Sequence, residues 1–187
     1  MGVSLVEEGV VSSLTRVRWQ GVVETRGDAL SAVPETGDVV LVSRSGTDRW
    51  LVFRCPCGCG TELPINLDKR TGPAWKLYYP GSQASLYPSV WRESGCEAHF
   101  ILSRGRVWLL GGSDDDWSRD TVVDEVLLDL VRQTLTDVPA HYFDIAEQVG
   151  AEPWETYEAC RRLVRQDEAE QGRGSKWGLY NAKLKRR

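Results

Sequence analysis

Histidine is scarce in this chain of 187 residues: only two are present, His99 and His141. That scarcity excludes the H-E-x-x-H set of a metallopeptidase, which needs two histidines a helical turn apart. No G-x-S-x-G nucleophile elbow occurs either. Long apolar runs are missing as well, and none approaches the ~20 residues of a membrane-spanning helix. The opening MGVSLVEEGVVSSL lacks a basic start and places two glutamates where a secretory signal would be apolar. The expected location is therefore cytoplasmic, with no membrane partner.

Charge is nearly balanced over the whole chain, at a net −4, but it is not evenly spread. Residues 1–113 carry 12 basic and 11 acidic side chains, residues 114–160 carry 2 and 13, and residues 161–187 carry 9 and 3. The composition, 41% hydrophobic and 27% charged, is that of a globular protein and excludes intrinsic disorder of the whole chain.

Hydrophobic patterning divides the chain in two. Up to about residue 110 the period is two: Thr15–Val22, Asp38–Ser43, Arg49–Arg54, Leu63–Leu67, Trp75–Tyr79, Ser85–Val90, His99–Ser103 and Arg106–Leu110 read as short strands between Gly/Pro turns. Two pairs among them, on either side of Ser45–Asp48 and of Arg104-Gly105, read as hairpins. Six of the eight tryptophans precede residue 120, and they are expected to pack a small β core.

Beyond the break Gly111–Asp120, the period becomes helical. Val122, Val123, Val126, Leu127, Leu130, Val131 and Leu135 form one stripe, followed by helices over about His141–Val149 and Pro153–Asp167. Gly150 and Pro153 fit a helix end and a helix start. A Gly-rich turn and a short strand close the chain. The fold class expected is α+β: a small, mainly antiparallel β domain stabilised by a zinc site (1–113), an acidic linker (114–120), and a winged-helix-like three-helix domain (121–187).

Five cysteines are present, three of them at alternate positions, Cys55, Cys57 and Cys59. Crowding of this kind without a secretory signal favours a metal over a disulfide framework. Cys96-x-x-His99 supplies a second pair about 40 residues later, which intervening strands can bring back to the first. Thiolate and imidazole donors on two turns suit zinc, which takes four such ligands in a tetrahedron. Five candidates compete for four places: Cys57 or Cys55 can be the spare one, and His99 can be a ligand or stand beside the site as a base. Cys160 falls on the apolar stripe of the last helix and reads as core.

Ser85-Leu-Tyr-Pro-Ser89 lies just before the Cys96–His99 turn, so a serine could meet the histidine. In the C-terminal part, Arg161, Arg162, Arg165, Arg173, Lys176, Lys183, Lys185, Arg186 and Arg187 could contact phosphates. Glu152, Glu155 and Glu158 occupy the start of the third helix, the end that faces base edges in DNA readers of this shape, and nucleic acid is not the favoured partner.

The run F-R-C-P-C-G-C-G (53–60), then S-L-Y-P-S-V (85–90), then C-x-x-H-F-I-L-S-x-G-x-V-W (96–108) resembles a bacterial zinc-site family encoded beside ubiquitin-like proteins and their E1-like and E2-like enzymes. The likeness covers roughly residues 38–110. It implies a deubiquitinase-like peptidase acting on a ubiquitin-like modifier or its conjugates, with those operon proteins as partners. It implies Cys55, Cys57, Cys59 and Cys96 as metal ligands, Ser89 as nucleophile, and His99 as its base or as an alternative fourth ligand. The two roles of His99 compete, because a nitrogen that holds zinc cannot also take the serine's proton. The other reading of the whole chain is a non-catalytic adaptor, a zinc-bound β module fused to a winged helix that binds a protein or nucleic acid.

Overall fold

The computed structural model describes residues 16–110, 123–172 and 178–183. The chain divides into two compact units, Met1–Gly112 and Ser113–Arg187. The acidic stretch 114–120, read above as a linker, lies outside the described residues.

The first unit holds two four-stranded sheets. One contains β1 (Arg18–Val23), β2 (Asp38–Arg44), β3 (Thr47–Arg54) and β4 (Glu62–Asn66), hydrogen-bonded in that order. The other contains β5 (Lys76–Tyr78), β6 (Ser85–Trp91), β7 (His99–Ser103) and β8 (Arg106–Leu110), also in order. All pairings are antiparallel except β1 with β2, which run parallel across the short helix α1 (Arg26–Ala32).

The two sheets share one core. Val39, Leu41, Leu51, Phe53, Leu63 and Ile65 from the first pack with Leu86, Val90, Phe100, Leu102 and Val107 from the second. Phe53 and Phe100 meet edge to face across it, with ring centroids 5.7 Å apart. On the opposite side of the first sheet, Val40, Val42 and Val52 pack against Ala29 and Val33 at α1. Strands β2 and β3 are thus covered on both faces, which is why DVVLVS is a continuous apolar run and does not alternate.

The helix α1 was not read from the sequence. Seven residues are too few for a helical period, but its cap is local and visible: Thr25 Oγ1 accepts the Asp28 N–H at 3.2 Å and donates to Asp28 Oδ2 at 2.6 Å. The tryptophans pack the β core in part: Trp19 and Trp75 lie half-buried against the shared core and Trp50 against the α1 side, whereas Trp91 is 65% exposed. The largest fully buried side chains in the first unit are Phe53, Phe100, Leu51, Leu86 and Leu102.

The hairpin turns fall where expected. Arg104-Gly105 joins β7 to β8 with both residues at positive φ, the two-residue turn that suits the strand twist. A Cβ at Gly105 would stand 2.0 Å from the Ser82 carbonyl oxygen, so only glycine fits there.

The second unit carries helices α2 (Glu125–Thr134), α3 (Tyr142–Val149) and α4 (Pro153–Arg165), with a small antiparallel sheet in the order β10 (Ala169–Gln171), β11 (Leu179–Ala182), β9 (Ala140–His141). Asp124, His141 and Glu152 cap the helices by accepting N–H groups of the first turn. Tyr142, Trp154, Tyr157 and Tyr180 form its aromatic core, and Cys160 is buried among apolar neighbours, where burial pushes its thiol up to about 12.

Two expectations for this unit need correction. The buried stripe of α2 runs through Leu128 and Val131, and Val126 and Leu130 face outward. Glu152, Glu155 and Glu158 are buried, so they present no acidic surface to a nucleic acid. Several of the basic residues are engaged in ion pairs: Arg162 with Glu125, Arg165 with Glu158, and Lys183 with Asp167. No helix among the described residues is long and apolar enough to cross a membrane.

Candidate metal centre and serine–histidine pair

The cysteine loop begins where β3 ends. The Cys55 N–H donates to the Thr61 carbonyl at 2.8 Å, and the Gly58 N–H donates to the Cys55 carbonyl at 3.2 Å, so the segment closes on itself. Gly58 has φ of +88°, a conformation that side-chain-bearing residues rarely adopt, and it turns the chain so that successive thiols converge. Arg54 fixes the loop from outside by donating to the Val33 and Gly60 carbonyls, each at 2.8 Å.

The sulfur atoms of Cys55, Cys57, Cys59 and Cys96 all lie within 4.8 Å of one another. Cys55 and Cys57 are 3.3 Å apart, and Cys55 and Cys96 are 3.8 Å apart. Four thiolates at ~2.3 Å from one ion in a tetrahedron are themselves separated by roughly 3.8 Å, so the cluster fits a tetrahedral thiolate-bound metal. His99 is not in this group.

The backbone amides of Cys57, Cys59, Thr61 and Ala98 favour the thiolate forms of Cys55, Cys57, Cys59 and Cys96 respectively, and burial acts against them. At exposed Cys59 the hydrogen bond with Thr61, 3.3 Å between Sγ and Oγ1, brings the thiol down to about 6. Burial would raise Cys96, but the Ala98 N–H, Cys57 and Arg92 together hold it below its ordinary value. At Cys55, at the floor of the site in the core, burial dominates and pushes the thiol upward.

The other constellation lies on the hairpin that Cys96 helps to close. Leu86 pairs with Leu102 and Val90 pairs with Phe100, so β6 spends four residues where β7 spends two. The extra residues form a bulge around Pro88, which cannot donate to a ladder. Ser89 sits in this bulge with its Oγ 3.0 Å from His99 Nε2. The Trp75 indole N–H donates to the Ser89 carbonyl at 3.2 Å and holds the bulged backbone. Because Val90 and Phe100 point into the core, Ser89 and His99 are carried on the outer face, where both are half-exposed.

Trp91 pairs with His99 in the ladder, and the two rings lie 6.1 Å apart at 38°. Ser85, the other serine of the segment, is buried and accepts the Arg104 N–H at 2.8 Å. It is a structural residue of the β6–β7–β8 meander.

The pair has the geometry of a nucleophile and its base: the distance is within hydrogen-bond reach, and Nε2 can take the hydroxyl proton in the tautomer that carries hydrogen on Nδ1. Among the described residues no carboxylate hydrogen-bonds to His99.

Residues 25–110 match the model of one protein family. Its description is "Bacterial ubiquitination-like system serine protease (BubE)". The BubE match runs from α1 through β8 and contains all four clustered cysteines together with Ser89 and His99, while the second unit lies outside it. It agrees with the family resemblance carried by the cysteine, SLYPS and CxxHF segments, and extends it to include α1. No curated protein and no solved structure matches the chain.

Sequence reasoning brought forward all six residues of the two constellations but passed over Arg92. Its Nη1 donates to Cys96 Sγ at 3.0 Å and lies 3.9 Å from Cys59 Sγ. The available signal was a cation four residues before a candidate thiolate, within the same short connection.

Proposed function

We propose that this protein is a zinc-stabilised serine peptidase of a bacterial ubiquitination-like system, cleaving a ubiquitin-like modifier from a precursor or a conjugate. The observation that carries the reading is the 3.0 Å contact between Ser89 Oγ and His99 Nε2, set on a bulge inside the span that matches BubE. A structural serine on a regular strand needs neither the bulge nor a histidine facing it.

His99 Nε2 accepts the Ser89 hydroxyl proton as Oγ attacks the carbonyl at the modifier's C-terminus. The tetrahedral intermediate collapses, His99 returns the proton to the departing group, and an acyl-serine remains. Water, deprotonated by the same nitrogen, attacks the acyl carbonyl; as the C–Oγ bond breaks, His99 gives that proton to Ser89 Oγ and the modifier's carboxylate leaves. Trp91, exposed beside His99, offers an apolar surface for the incoming chain.

Cys55, Cys57, Cys59 and Cys96 would hold the zinc. Four thiolates close its coordination, so the metal supplies structure and no reactive water. The hairpin of Ser89 and His99 is anchored through Cys96. The second unit reads as a winged-helix-like module for a protein partner, the ubiquitin-like protein or its E1-like or E2-like enzymes. Val126 and Leu130, 65% and 43% exposed one turn apart on α2, suit such a contact better than phosphate binding.

The test is cleavage of a fusion between the ubiquitin-like protein and a reporter, with metal content measured on the same samples. Ser89→Ala should abolish cleavage and leave the bound zinc unchanged. Cleavage retained in that variant removes Ser89 from the mechanism and returns the adaptor reading.

A further inference from the structure

The segment Arg92–Ala98 joins β6 to β7, with Ser89 three residues before it and His99 directly after it. Its ends are closed by the Arg92 N–H donating to the Ala98 carbonyl at 3.0 Å. The Arg92 side chain folds inward over the same segment. A Cβ added at Gly95, which has φ of +82°, would stand 3.0 Å from Arg92 Nη2, so the guanidinium lies directly above that glycine. Its Nη1 reaches Cys96 Sγ at 3.0 Å and comes within 3.9 Å of Cys59 Sγ. One cation thus spans the two ligand-bearing turns, one after β3 and one after β6.

Four thiolates around a divalent ion leave about two negative charges in excess. Backbone N–H groups disperse part of that charge. A guanidinium suits the remainder, because it keeps its charge at any accessible pH, and here a single nitrogen, Nη1, faces both sulfur atoms. We infer that Arg92 is the positioning residue of this metal centre: it offsets the excess charge on Cys59 and Cys96 and ties the loop after β3 to the turn between β6 and β7, the two strands that carry Ser89 and His99. The inference rests on the zinc reading of the thiolate cluster and is independent of the peptidase reading.

Partners that orient and neutralise metal ligands change metal affinity by roughly 10–100-fold when removed. Zinc release from the full-length protein to a chromogenic chelator at fixed excess should therefore be about tenfold faster in Arg92→Gln, with Arg92→Lys nearer the parent because it keeps the positive charge. With the metal stripped, Arg92→Gln and the parent should melt at the same temperature, which separates an action on the metal from ordinary packing. Release at the parent rate in Arg92→Gln would overturn the inference. A melting difference confined to the metal-free proteins would also do so, by making Arg92 a packing residue. Parent protein purified without zinc would overturn the zinc reading beneath it. Release is read without any cleavage, so failure of the peptidase reading leaves this result standing.

Discussion

Cys55 and Cys96 are separated by 41 positions in the chain, and their sulfur atoms lie 3.8 Å apart. On the zinc reading, a bond through a shared metal would make that proximity a cross-link between the end of β3 and the turn after β6. Closing a loop of this length removes about 4 kcal/mol of chain entropy from the unfolded state, by analogy with a disulfide. Chelation, or Cys55→Ser, should therefore lower the melting temperature of the first unit by about 15 °C or more. Calorimetry with and without chelator checks this, and a shift of only a degree or two would mean that no metal bridges the two turns.

A nucleophile and its base act as one device, so their losses do not add. Ser89→Ala and His99→Gln should each reduce kcat/KM by about a thousandfold or more, and the double variant should be no slower than the worse single one. Independent, multiplying losses measured with the fusion substrate would place His99 outside the serine's chemistry.

Trp91 has little packing to lose, being 65% exposed. Trp91→Ala should leave the melting temperature within a few degrees of the parent. Cleavage should fall about tenfold in kcat/KM, the scale of one lost aromatic contact. A decrease confined to kcat would argue that Trp91 acts on His99 and not on the substrate.

The acid limb of stability should depend on Asp38. Burial alone would raise its carboxyl, but the Glu35 N–H, Arg18 and Gln20 together hold it below the ordinary value. A group with a lowered folded pKa contributes stability that is complete above its unfolded pKa and is lost as pH falls through the folded one. The contribution of Asp38 should thus be intact at neutral pH, begin to fall near about pH 4, and be gone once the pH is below the lowered folded value. In Asp38→Asn, denaturant midpoints measured between neutrality and pH 3 should start lower and change less steeply; an unchanged slope would show that other carboxylates govern the acid limb.

The legible parts of this chain were those written locally. The hairpins of β2–β3 and β7–β8 announce themselves through short apolar runs on either side of the turn residues Ser45–Asp48 and Arg104-Gly105, and Cys55, Cys57, Cys59 and Cys96 through their spacing. What could not be read depended on backbone shape or distant pairing. The spare ligand could not be named because the turn at Gly58, which makes the three thiols of the loop converge, is a matter of φ and not of residue order. The two roles of His99 are separated by the hairpin: Cys96 lies in the turn with its sulfur toward the cluster, while His99 opens β7 with its ring toward Ser89. The parallel partnership of β1 with β2 and the buried glutamates of α4 come from tertiary contacts that no local pattern encodes.

The order in which the molecule assembles follows from the hairpin. Ser89 and His99 are only ten residues apart, whereas Cys55 must find Cys96 across 41. Loop closure favours the shorter contact by about 1 kcal/mol of chain entropy. Ser89 and His99 can therefore meet in a nascent chain as soon as β6 and β7 zip together, before the longer loop has closed. On the zinc reading, metal capture would then arrest an arrangement that already exists, a late checkpoint on a hairpin formed earlier.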